Sequence, residues 1–138
     1  MIAGFVGTVV ISVFMLLKSM MGLVPELDPI GMLAAMFGGP MALGWLMHFV
    51  IGTVAWGGGF ALIYNLLPSN SSIAKGVILA IGAWLIMMLA VMPMAGKGLF
   101  GLEIGIAAPI MTLMLHVIFG VVMGLVFDKQ LAAEPTPV

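Results

Sequence analysis

The chain is predicted to be an all-α integral membrane protein: four transmembrane helices as two tandem two-helix repeats, plus a short interfacial or re-entrant helix at about 29–37. Three observations predict this. No Asp, Glu, Lys or Arg occurs in Met1–Leu17, Pro29–Ala74, Gly76–Gly96 or Ile104–Phe127. Only 7% of residues are charged and 64% are hydrophobic, against about 25% and 45–50% in soluble proteins. The apolar segments approach or exceed the about 20 residues that cross a hydrocarbon layer of about 30 Å. A helix is the form in which such a segment satisfies its own backbone.

The first span is placed at about 2–23, with Lys18 near its end able to snorkel towards the interface. Met1-Ile2-Ala3-Gly4-Phe5 lacks the positive n-region of a signal peptide, so the segment reads as a retained span. The connection that follows has its own helix signal. Asp28 is a good N-cap, Pro29 suits the first helical position, and Gly38-Gly39 can end the turn. Ile30–Phe37 is too short to span and belongs in the interface or dips in as a re-entrant piece.

The second span is placed at about 40–64 and closed by Asn65 and Pro68; Ser69-Asn70-Ser71-Ser72 then offers an N-cap. The third span, about 73–92, is closed by Pro93 and the loop Ala95-Gly96-Lys97-Gly98. The fourth, about 105–127, stops at Asp128-Lys129. A single domain of 1–128 results, and the polar, Pro-containing 129–138 reads as a disordered tail.

The repeat rests on Ile2-Ala3 matching Ile73-Ala74, Pro40 matching Pro109, and His48-x-x-x-Gly52 matching His116-x-x-x-Gly120. It predicts both histidines at similar depth, near the side carrying the first and third loops. Lysines divide evenly between the two sides, so the positive-inside rule barely discriminates. The free amino terminus and polar tail favour cytoplasmic termini.

Several functions are excluded by composition. A net charge of −1 and the absence of Arg give no surface for nucleic acid. The lack of cysteine removes disulfides, iron–sulfur clusters and thiolate metal sites. No Ser/His/acid set, phosphate loop or paired carboxylate in a cleft suggests catalysis, so no enzyme is expected.

His48 and His116 are the clearly ionisable groups within spans, and such groups are functional candidates by default. Each can also be a packing residue that hydrogen-bonds across helices. As ligands, two imidazoles can hold a b-type haem. With the thioethers of Met47, Met111 and Met114, or Met41, they suit Cu(I). Methionine, 15 residues in all, is also an adaptable packing residue. Glu26, Asp28, Lys97 and Glu103 lie on the same loop side, where the carboxylates can relay protons with the histidines. Asp28 as a helix cap and Glu26 at the headgroup surface is the plainer reading.

Gly52, Gly57-Gly58-Gly59 and Gly120-x-x-x-Gly124 form small-residue faces that bring membrane helices together. Trp45 and Tyr64 lie where interface anchors sit, and the mid-span indoles of Trp56 and Trp84 need partners.

Pro25-Glu26-Leu27-Asp28-Pro29, Gly44-Trp45-Leu46-Met47-His48-Phe49-Val50-Ile51-Gly52, Met92-Pro93-Met94-Ala95-Gly96-Lys97-Gly98-Leu99-Phe100-Gly101 and His116-Val117-Ile118-Phe119-Gly120 together resemble a family of small four-span bacterial membrane proteins of unknown function. The resemblance covers Ile2–Asp128. It implies the bacterial inner membrane and a four-span layout, and it assigns no activity. The resulting expectation is a non-enzymatic accessory or structural subunit of a membrane complex or homo-oligomer. Its partners are the bilayer and other membrane helices. The alternatives are haem or copper binding through the histidines, and small-solute transport by an oligomer.

Overall fold

Four helices are long and apolar enough to cross a membrane: α1 (Ile2–Met20), α3 (Met41–Leu66), α4 (Ser72–Met94) and α5 (Ala107–Ala133). A fifth, α2 (Pro29–Met36), lies in the first loop. The computed structural model describes residues 1–133, and among these there is no strand.

The helix ends follow from local chemistry. After α1, the Leu23 N–H returns to the Lys18 carbonyl across Gly22, whose φ of +66° suits a left-handed cap. The span is thereby closed at Met20, three residues before its expected end. Asp28 accepts from the Gly31 N–H at 2.9 Å and Pro29 opens the helix, so the short helix forms as predicted. Ser71 caps α4 through the Ala74 N–H. Gly105, at φ +126°, cannot be helical, and α5 begins later than expected. At its other end α5 runs to Ala133, which corrects the tail expected from 129. Gln130, Leu131 and the alanines are good helix formers, and a helix can continue beyond the bilayer into water. The remaining residues of the expected tail, 134–138, lie outside the described ones.

Two spans are locally unwound into π-helix, over Ile51–Gly58 in α3 and Met87–Val91 in α4. The second has a clear cause: Pro93 has no N–H to offer the Leu89 carbonyl four residues back. The first coincides with Gly52, Thr53 and Gly57-Gly58, all weak helix formers.

Helices α1 and α5 pack together at the centre, with α3 against α1 and α4 against α5. Glycines set both outer crossings. A Cβ on Gly4 would strike the Gly52 carbonyl and Gly57, and a Cβ on Gly76 would strike the Gly120 carbonyl. Gly124 sits equally close to the backbone of Ser72 and Ile73, and Gly52 to Thr8. Gly52, Gly57, Gly120 and Gly124 thus make close approaches within the chain. Gly58 and Gly59 face open space, because successive residues on a helix point in different directions.

Around these crossings the apolar core forms at three levels. Ala3, Phe60, Ala80, Phe119 and Met123 pack towards the terminal side. Met15, Ile30 and Leu115 pack with Trp45. Leu27, Met88, Met92 and Ala108 pack at the loop side. Trp45 is thus half-buried in a core cluster and is not a free interface anchor.

Substituting Gly76→Val should destabilise the protein by about 1–3 kcal/mol or more, since backbone on both sides leaves little room to relax. Gly58→Val should cost far less. Thermal unfolding of the two variants in mild detergent checks this; equal losses would refute the glycine-set spacing.

Candidate functional site: a histidine-lined cavity

The two flanking spans barely touch each other, and a cavity of about 220 Å³ lies between them. Its floor is Thr8, Ile11 and Met15 of α1 with Thr112, Leu115 and Phe119 of α5. The first π-helical segment supplies Ile51, Gly52 and Trp56, and the second supplies Met87 and Val91. Pro29, Met32, Leu33 and Met36 of α2 close the loop end. Met36 and Ile86, 41% and 56% exposed, belong to the wall as well, so the cavity meets the outside of the bundle.

His48 and His116 both line this cavity. They stand about two turns into α3 and α5 from the same side, and so at similar depth. The imidazole of His48 is held edge-on by Trp45 and Phe49, with centroids 5.9 and 5.6 Å away. Its Nε2 lies 3.1 Å from the Ser12 hydroxyl. Ser12 spends its one proton on the Thr8 carbonyl at 2.7 Å, so it accepts from His48 Nε2–H. His116 Nδ1 lies 2.8 Å from the Thr112 carbonyl, which can only accept, so Nδ1 carries the proton there. Both tautomers are thereby assigned by the network.

The hydroxyls nearby are committed too. Thr8 donates to the Gly4 carbonyl at 2.8 Å. Thr112 bonds the carbonyls of Ala108 and Pro109 and accepts from the Trp84 indole N–H at 3.1 Å. Trp84 finds the partner its mid-span position demanded.

The methionines differ from expectation. Met15, Met32, Met36 and Met87 line the cavity, whereas Met47, Met111 and Met114 do not. Met111 packs against the loop-side core, and Met114 is 54% exposed. Period 3.6 and helix rotation decide which thioethers point inward, and nearness in sequence to a histidine does not. Among the described residues, no three His, Cys, Asp or Glu side chains converge on a metal position. A soft ion would need the two imidazoles and cavity thioethers. The volume is below the about 300–1,000 Å³ typical of ligand pockets, and a haem would not enter without wide separation of α3 and α4.

The loop-side polar residues lie apart from this cavity. Glu26, Asp28 and Lys97 border a neighbouring surface recess with Met94 and Ala95, and the two hollows share Met32 and Met36 as wall. Lys18 curls back onto the carbonyls of Val24 and Leu27, with Asp28 and Glu26 acting on it electrostatically. Glu103 packs beside Gly98. Gly96 and Gly98 both have φ +71°, which accounts for glycine in this loop.

One polar cluster was missed by sequence reasoning. At the terminal side Ser72 donates to Asp128 at 2.8 Å and accepts from the Tyr64 hydroxyl. The ammonium of Lys75, only 8% exposed, lies 3.9 Å above the Tyr64 ring. Ser72 and Lys75 share a helix face at i, i+3, the one signal available. The cluster ties α3, α4 and α5 together at their ends.

These features define a helical polytopic membrane protein with an apolar, histidine-lined cavity open between two spans. The chain belongs to a family of unknown function, DUF6789, whose model matches residues 1–138. No curated protein and no solved structure matches it.

A double-mutant cycle of Ser12→Ala with His48→Ala should give a coupling of about 0.6 kcal/mol, up to about 1.7, as for other hydrogen bonds between membrane helices. Unfolding free energies in bicelles provide the measurement, and zero coupling would show that the Ser12–His48 bond contributes nothing to stability.

Proposed function

We propose that this protein is a non-enzymatic membrane binding protein whose cavity receives a small lipophilic molecule from the bilayer, with His48 and His116 as its polar contacts. The observation that carries the reading is the convergence of both intramembrane histidines on one apolar cavity reached between α3 and α4. Burying an ionisable side chain in a membrane is costly. Two at one cavity, from different helices, are better explained by a shared ligand than by separate packing needs. The π-helical walls support it, since such segments recur at functional sites. Cu(I), held by the imidazoles and the cavity thioethers, is the inorganic occupant that this donor set would suit.

The location we propose is the bacterial inner membrane, with both termini cytoplasmic. The two halves we read as a repeat, supported by the paired glycine crossings of α1 with α3 and α4 with α5.

A second reading is a packing subunit of a larger membrane complex or homo-oligomer. Gly58 and Gly59 on α3 and Gly82 on α4 meet nothing within the chain, and such small-residue positions suit contact with another helix. The two readings are compatible, because the cavity and these glycines use different residues.

Organic extracts of protein purified in mild detergent should contain a lipophilic compound at near-stoichiometric level, identifiable by mass spectrometry. Ala83→Phe, which fills the cavity wall, and His48→Ala should each deplete it several-fold. Elemental analysis of the same samples tests for copper. Extracts holding only bulk phospholipid, with no bound metal, would leave the subunit reading in its place.

A further inference from the structure

The hydrogen-bond polarity of the cavity restricts what can occupy it. His48 Nε2–H is fixed on Ser12, whose own proton goes to the Thr8 carbonyl. His116 Nδ1–H is fixed on the Thr112 carbonyl. Each ring therefore has one nitrogen left, Nδ1 of His48 and Nε2 of His116, and each carries a lone pair and no proton. Reversing either tautomer would set a lone pair against a carbonyl oxygen, or pull the Ser12 proton away from Thr8.

Both rings line the cavity, and among the described residues the hydrogen bonds they make within the chain use only His48 Nε2 and His116 Nδ1. The threonine protons in the cavity wall are already given to backbone carbonyls. The indole of Trp56 also lines the cavity, and among the described residues its N–H makes no hydrogen bond within the chain.

We infer that the occupant is a hydrogen-bond donor: a single-ring lipophilic diol of the hydroquinone class, bound in preference to the corresponding quinone. The inference rests on the ligand-binding reading above and adds the ligand's chemistry. Hydroxyl groups give protons to His48 Nδ1 and His116 Nε2, and their oxygens can still accept from Trp56. A quinone offers only carbonyl lone pairs, which would face the imidazole lone pairs in a medium without water. Size agrees with one ring. A cavity of about 150 Å³ lined by aliphatic side chains holds benzene, and this one is about 220 Å³. The attached alkyl chain would leave past Ile86 into the bilayer. Binding involves no electron transfer.

The test uses the full chain in nanodiscs, kept anaerobic, with empty nanodiscs as the partitioning control. Decylhydroquinone, decylquinone and the dimethyl ether of the hydroquinone are titrated by calorimetry. The hydroquinone should bind at least about tenfold more tightly than either analogue, modest beside the discrimination that buried hydrogen-bonding sites reach. His48→Ala and His116→Ala should each reduce that ratio severalfold. Ser12→Ala, which frees the His48 tautomer, should lower the ratio while leaving affinity for the ether unchanged; it also serves if a histidine variant fails to fold. Equal binding of all three probes, tighter quinone binding, or a preference that survives all three substitutions would overturn the donor assignment while the cavity reading stands. No binding of any probe beyond the empty-disc control would overturn both.

Discussion

Close approach of helix backbones at glycine is the constraint on which this structure depends. Lipid is as apolar as leucine, so membrane helices gain little by hiding hydrophobic surface from it and associate through close packing. Here Gly4 meets Gly52 and Gly57, and Gly76 meets Gly120 and Gly124. These crossings draw α3 onto α1 and α4 onto α5. They leave α3 and α4 apart from one another, and the gap becomes the cavity. Glycine packing thus creates the space as well as the bundle.

Polar side chains then work under a strict rule. In hydrocarbon each proton donor must find an acceptor within the protein, and the few hydroxyls in the spans mostly bond a carbonyl one turn back. Those local bonds have a distant consequence. By consuming the Ser12 proton, one of them decides which nitrogen of His48 is protonated, while the Thr112 carbonyl decides it for His116. The proton pattern of the two rings is therefore set by the ordinary needs of nearby hydroxyl groups and carbonyls.

The π-helical segments extend the same logic. A wider turn rotates the rest of the helix beyond it and frees carbonyls from the regular ladder. Both wide turns border the cavity, so the walls are the least regular parts of two otherwise regular spans. The loop side is closed by α2, whose cap, first-turn proline and glycine stop form a self-contained local unit.

Much was legible in the chain alone. Absence of charge over long stretches defined the four spans, because water and hydrocarbon make opposite demands on side chains. Asp28-Pro29 and Gly38 announced α2, since capping is a local event. The position of His48 and His116 within the spans could be read from their isolation in apolar segments. Which methionines accompany them could not, nor that Gly58 and Gly59 would face away while Gly4 and Gly76 carry the contacts. The joining of Ser12 to His48, and of Ser72 to Tyr64 and Asp128, was equally hidden. Such facts depend on how each helix is rotated about its axis and where it crosses its neighbour, which the tertiary packing alone decides. Composition determined the solvent and the spans; helix rotation determined the cavity, its proton pattern and the surfaces left uncovered.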